Sequence, residues 1–238
     1  MRFLAAVLLC LLPTLAGAGP WVRDKGQIYA LLSHGGGGDG WTGLYVEYGG
    51  PRRLTFGLDA GGHVVGLSEL ARTGFTDRDV DGRVRSFVRI PVPLPGGPAA
   101  AGVFAPWLAA VELSLGRDFN SDENGDGMVD TVDRFGIGGT VGHGFSTRFG
   151  DGWTTLDIAA SFPSKGETRT SLGLVVGIKP FDRVAVDIAL YAEREDDTDY
   201  SVGPTVQYDF GTVASGRLGV AYTSDGDIDV TVGISRSF

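Results

Sequence analysis

The chain has 238 residues, a formal net charge of -9, 39 glycines and one cysteine, with 42% hydrophobic and 10% aromatic residues. An acidic balance of that size lacks the basic footprint that nucleic-acid binding requires, and a lone cysteine excludes a disulfide-stapled scaffold. Beyond the amino-terminal segment no unbroken apolar run approaches the roughly 20 residues of a membrane helix, which excludes helical insertion as well.

Residues 1–18 read as an export signal. Arg2 supplies the positive charge, residues 3–12 the apolar stretch and Pro13 the helix break. Ala16, Gly17 and Ala18 offer the small residues of a cleavage site after Ala18. Cys10 follows Leu9, where a lipid-attachment site needs a small residue, so it reads as a plain apolar residue of the signal. The domain reading is therefore a signal over 1–18 and one β-barrel domain over 19–238.

Along the rest of the chain, polar or glycine-rich connections separate segments of strand length. They fall at 35–40, 49–51, 71–82, 93–102, 117–133, 150–152, 163–168, 179–183, 193–199, 211–216 and 224–227. Asp59 to His63, which contains Gly61 and Gly62, would close an extra turn and make the strand count odd. A single bulged strand from Arg52 to about Leu70, with glycines at the bend, keeps it even. The expected fold is all-β, an antiparallel up-and-down transmembrane barrel of about twelve strands, with ten or fourteen as the neighbouring solutions.

Period-two alternation is clearest in the second half, because successive strand side chains point to opposite faces. Leu172, Leu174, Val176 and Ile178 share one face; so do Val184, Val186, Ile188 and Leu190, then Val202, Val206, Tyr208 and Phe210. The last strand sets Ile228, Val230, Val232, Ile234 and Phe238 against Asp229, Thr231, Gly233 and Ser235. These apolar faces are expected to meet lipid. Trp41, Tyr48, Trp107, Phe135, Phe149, Trp153, Phe162, Tyr222 and Phe238 fall mostly near strand ends, as girdle aromatics do, although aromatics favour strands in general.

With an export signal, alternating segments, short turns against longer loops and a terminal Phe238, the mature chain resembles Gram-negative outer-membrane β-barrel proteins. The resemblance implies a bacterial outer-membrane location, contact with outer-membrane lipid and lipopolysaccharide, and a barrel-assembly machinery that reads Phe238 as its signal. Arg236 departs from the family pattern, which usually has an apolar residue there; an Arg at the interface can snorkel. Such a resemblance names a fold and not a function. Counting back from Phe238 assigns 224–227, 193–199, 163–168, 117–133, 71–82 and 35–40 to the outside and the other turns to the periplasm.

The same parity directs Glu47, Arg53, Asp59, Arg85, Arg89, Glu112, Arg148, Asp157, Lys179, Asp187, Asp209 and Arg217 into the lumen. Charges of both signs in a narrow barrel either pair across it or leave a thin charged pore. Arg85 and Arg89 share a face and suggest a cationic ladder for an anionic solute. Two readings lead, a narrow, porin-like channel for small polar solutes or a closed structural or surface-interaction barrel with a calcium-stiffened external loop; an outer-membrane lipid hydrolase ranks third.

The sharpest local motif lies between Asp122 and Asp133. Asp122, Asn124 and Asp126 occupy positions one, three and five of a calcium loop, Gly127 the tight turn, Met128 a carbonyl position and Asp133 the twelfth, with Asp130 a further carboxylate. It resembles EF-hand and especially dockerin-type loops, without the flanking helices. A bound Ca2+ would stiffen the loop, while the plainer reading is a solvated acidic turn.

Catalytic residues are not expected. A nucleophile needs a base within reach, and His34, His63 and His143 are the only histidines. Outer-membrane lipid hydrolases place His two residues before Ser; His143 and Ser146 are three apart and so oppose each other across a strand. Ser33 and His34 oppose each other too, and omptin-type proteolysis would have only His34 and His63 to draw on.

Overall fold

A sheet can cross an apolar medium only if every backbone group finds a partner in a neighbouring strand, which requires closure. The structure, a computed structural model, describes residues 21–36, 40–63, 81–94, 107–120 and 130–238. Within them twelve strands run in chain order: β1 (Ile28–Gly35), β2 (Trp41–Gly49), β3 (Thr55–His63), β4 (Gly82–Val92), β5 (Leu108–Asn120), β6 (Asp130–Thr147), β7 (Gly150–Pro163), β8 (Arg169–Phe181), β9 (Val184–Arg194), β10 (Thr198–Asp209), β11 (Ser215–Thr223) and β12 (Ile228–Ser237). Each pairs antiparallel with its sequence neighbours, and β1 pairs with β12 from Tyr29 against Ser237 to Gly35 against Thr231, so the barrel is closed. At the seam Phe238 N donates to Ile28 O (2.8 Å) and Ile28 N to Phe238 O (3.1 Å), which ties down the last residue. The start of β1 and the end of β12 lie side by side at one rim, the terminal rim; the opposite one is the distal rim.

The apolar mass lies on the outside. Buried apolar side chains among the described residues are Tyr29, Phe87 and Ala110, whereas Ile188 (59% exposed), Leu218 (52%) and Ile234 (53%) stand free on the outer wall. This inversion is what a lipid-facing barrel requires. The three apolar faces read from β8, β9 and β10 all point outward, since Leu172, Val176, Ile188, Leu190, Val206 and Phe210 are exposed while Gly173, Gly177 and Asp187 between them are buried. Tyr48, Trp107, Phe135, Phe162, Tyr222 and Phe238 also face out, and Phe135 stacks on Phe162 across β6 and β7 at 6.3 Å.

Several sequence readings need correction. Trp41 and Trp153 are not girdle residues. Both rings turn inward and lie over a glycine of the adjacent strand, Gly61 for Trp41 and Gly177 for Trp153. The turn read at 150–152 sits at Arg148 and Phe149, and residues 150–152 already belong to β7. The long bulged strand from Arg52 does not form over its first residues: Pro51–Arg53 is a 3-10 turn, and β3 begins at Thr55 and runs straight through Gly61 and Gly62 in register with β2. Its expected continuation towards Leu70 lies outside the described residues. The connection read as 117–133 is shorter, because β5 continues to Asn120 and β6 starts at Asp130.

Strand lengths are uneven. A tilted crossing takes roughly 9–11 residues, yet β6 has 18, β7 14, and β5 and β8 13 each, against 8 for β1. The wall formed by β5 to β8 is therefore taller than the β1 side.

Candidate functional site: a charged lumen with two chambers

Inward positions of β2 to β5 bring charges of both signs side by side. On β2, Glu47 is fully buried; on β4, Arg83, Arg85 and Arg89 alternate with Phe87 along one face; Asp59 (β3) and Glu112 (β5) flank them. Phe87 lies across Gly57, its cross-strand partner, in space that any Cβ there would fill, with Tyr45 stacked on it at 5.6 Å. Arg89 Nη1 donates to Glu47 Oε1 (2.7 Å), and its Nη2 donates to Glu112 Oε2 (2.9 Å) and Tyr45 Oη (3.3 Å). Tyr45 in turn donates to Glu47 Oε1 (2.6 Å). Arg85 bridges Glu112 (3.4 Å) and Asp59 (3.5 Å), and Arg83 reaches Asp59 (3.4 Å). Arg23, ahead of β1, pairs with Glu47 from the other side.

The result is an unbroken alternation of cation and anion: Arg23, Glu47, Arg89, Glu112, Arg85, Asp59, Arg83. Nearer the distal rim a second chain links Asp118, Arg134, Glu195, Arg169 and Glu193. Together the two hold six arginines and six carboxylates. Equal numbers within ion-pair range offset the burial of the inner charges, Arg23, Glu47 and Arg89 above all, and leave the two chains with no net sign. Arg85 and Arg89 are thus not a free cationic ladder; each is shared between two carboxylates.

Two polar chambers remain open. The one at the terminal rim, about 470 Å³, is bounded by Lys179, Arg183, Asp187, Asp209 and Arg217 on one side and by Trp21, Tyr29 and Ser235 on the other. The distal one, about 380 Å³, is bounded by Asp59, Arg83, Arg85, Glu112, Asp118, Arg134 and Arg169. Tyr191 on β9 lines both.

Of the expected lumen charges, Glu47, Asp59, Arg85, Arg89 and Glu112 belong to the first ion-pair chain, and Lys179, Asp187, Asp209 and Arg217 to the terminal chamber. Asp157 is on the inward face of β7, opposite Gly173 and Thr140. Two are misplaced. Arg53 lies exposed in the 3-10 turn with φ 60, and Arg148 lies exposed in the β6–β7 turn, its guanidinium 4.5 Å over the Phe149 ring, because parity counting ignores where a strand ends. Arg23, Arg83, Asp118, Arg134, Arg169, Glu193, Glu195, Tyr45 and Tyr191 were not anticipated. Arg83 shares the parity of Arg85 and Arg134 opposes the outward Phe135, so both were legible; Asp118 was hidden because β5 runs further than the loop reading allowed.

Asp122, Asn124, Asp126 and Met128 lie outside the described residues. Asp133 is on β6, where Arg117 Nε donates to its Oδ1 (2.6 Å), so its carboxylate already has a cationic partner. His143 faces outward between Trp107 (4.9 Å) and Phe145 (6.4 Å), while Ser146 turns the other way and donates to Asp151 (2.7 Å). His34 Nδ1 is 3.1 Å from Thr42 Oγ1.

An antiparallel barrel of twelve strands, apolar outside and charged within, defines an outer-membrane-type β-barrel. No family model matches the chain, and no curated protein matches it in sequence. Among solved structures it is similar to the KdgM porin, with a TM-score of 0.59 at 10% identity over 88% of this chain and 99% of that one. A second structure of that porin, in complex with disordered oligogalacturonate, gives 0.59 at 11% identity, covering 88% and 99%. The NanC porin gives 0.54 at 9% identity over 88% of this chain and 98% of that one. At such identities the likeness is one of fold.

Proposed function

We propose that the protein is a narrow outer-membrane channel for small polar solutes and not an enzyme. The observation that carries this reading is the pair of polar chambers, one at each rim, that share Tyr191. Around the terminal chamber the β9 to β12 wall sets small or neutral side chains, Ala185, Ala189, Thr205, Ser215 and Ser235, between its charged Asp187, Asp209 and Arg217, which leaves room for a solute while ion pairs crowd the β2 to β5 side. Balanced charge favours solutes of low net charge over a strongly anionic cargo. That two similar folds are porins supports the class of function and not the solute.

Planar-bilayer recordings of the refolded barrel test this. Discrete openings whose amplitude changes on Arg85→Ala or Arg89→Ala are expected. Silence from the wild type would favour the second reading, a closed structural or surface-interaction barrel, for which the buried Glu47 and Arg89 cluster speaks.

Outer-membrane residence, contact with lipopolysaccharide and recognition of Phe238 by a barrel-assembly machinery belong to the same proposal. Phe238→Ala is expected to reduce the folded barrel recovered from outer-membrane fractions. Calcium binding by the segment from Asp122 to Asp133, whose last four residues lie on β6, is proposed separately, with Asp133 giving up Arg117 to serve as ligand; calorimetry on the refolded barrel showing no heat of binding would end it.

A further inference from the structure

We infer that residues 21–23 form an internal plug of the lumen, latched by Arg23 onto Glu47, and that this plug sets the conductance and ionic preference of the pore. The second half of the inference rests on the channel reading; the first does not.

Arg23 belongs to no strand, yet its side chain is 5% exposed. Ahead of β1 the chain turns at Gly26, whose φ of +86 favours glycine, and doubles back into the barrel. Gly26 N donates to Gly49 O (2.7 Å) and Gly49 N to Gln27 O (2.8 Å), which fastens the turn to the end of β2. The Asp24 carbonyl then occupies the space that a Cβ on Gly49 would need. Deeper in, Arg23 N donates to Oγ1 of the fully buried Thr55 (2.9 Å), its guanidinium lies 4.4 Å over the Tyr29 ring, and its Nε donates to Glu47. Trp21 borders the terminal chamber. Peptide backbone and two large side chains therefore fill lumen that the strands alone would leave open.

Charge bookkeeping gives the plug a signature. With Arg23 in place, the chain that runs to Arg83 has four cations and three anions. Without it the numbers are equal, and Glu47 must rely on Arg89, which it shares with Glu112. A lumen that loses a cation and uncovers a carboxylate prefers cations. Neutralising Glu47 instead releases the latch without uncovering a negative charge. The two changes should thus agree on pore size and disagree on ion preference, a split that general loosening of the barrel would not produce.

The test compares wild type, Arg23→Ala and Glu47→Gln in planar bilayers under a salt gradient, with urea titration to verify folding. Both variants are expected to raise single-channel conductance about twofold or more, with the reversal potential moving towards cations only in Arg23→Ala. Conductance and reversal potential in Arg23→Ala equal to wild type would overturn the inference. A second measurement needs no current: Val22→Cys, on a Cys10→Ser background, reacted with a bulky membrane-impermeant maleimide. Adding Glu47→Gln is expected to speed labelling roughly tenfold, since access then follows release of the latch. Equal labelling rates would overturn the plug, whether or not the barrel conducts. Silence of every variant in the bilayer, with labelling still accelerated, would remove the channel reading and leave the plug standing.

Discussion

Arg89 joins three lumen side chains, pairing with Glu47 and Glu112 and donating to Tyr45. Removing one member of a buried ion pair typically costs about 3–5 kcal/mol, because the partner stays buried and uncompensated. Arg89→Ala is expected to destabilise the barrel on that scale, read as a lower midpoint of urea unfolding in detergent, with Arg89→Lys recovering only part, since a point charge cannot serve two carboxylates as a planar fork does. Glu195, in the β9–β10 turn, responds to pH. Burial pushes its carboxyl up, but hydrogen bonds and charge from Arg134 and Arg169 outweigh burial and hold it below the ordinary carboxylate range. A depressed carboxylate stabilises the fold above its unfolded value near 4.5 and loses that contribution as the pH falls through its folded value. Acid destabilisation should accordingly be shallower in Glu195→Gln than in wild type below about pH 4.5, measured by unfolding midpoints across a pH series.

At the scale of a strand, the two faces of β8 make opposite demands. Leu174, mid-strand and outward, is 40% exposed on the lipid-facing wall, and Gly177, inward, lies under the Trp153 ring. Leu174→Arg is expected to cost about 2–4 kcal/mol in lipid, as Arg does at a bilayer midplane, measured by unfolding from liposomes. Gly177→Val should instead lower folding yield by displacing the ring, and Trp153→Ala should restore it. The outward half of this pattern was legible, since Leu172 to Ile178 alternate in the sequence itself. The inward half was not: that Trp153 folds across Gly177 depends on the register between β7 and β8, which a single strand does not encode. Strand ends failed for a related reason. Arg53 and Arg148 have the parity of lumen residues but lie beyond the hydrogen-bonded ladder, in turns whose boundaries follow from pairing partners.

For the whole barrel, closure turns a row of alternating segments into an inside and an outside. The second ion-pair chain runs along the distal rim from the tall β5 to β8 wall to β9 and the β9–β10 turn, and the seam of β1 with β12 places the terminal chamber beside Trp21 and Ser235. Exposed ion pairs at a rim weaken with salt while buried ones are little screened. Pore conductance that scales with bulk salt, without a change of ion preference, is therefore the outcome expected of a lumen whose fixed charges cancel.

Determined by sequence alone were the all-β class, the even strand count, the lipid-facing sides of β8, β9, β10 and β12, and an interior of mixed charge. All of these follow from period-two patterning, which is local. Tertiary structure alone decided which arginine meets which carboxylate, where strands stop, which glycine each inward tryptophan covers, and that Arg23 enters the lumen. Each of those depends on distances between segments far apart in the chain, fixed only when twelve strands close in one register.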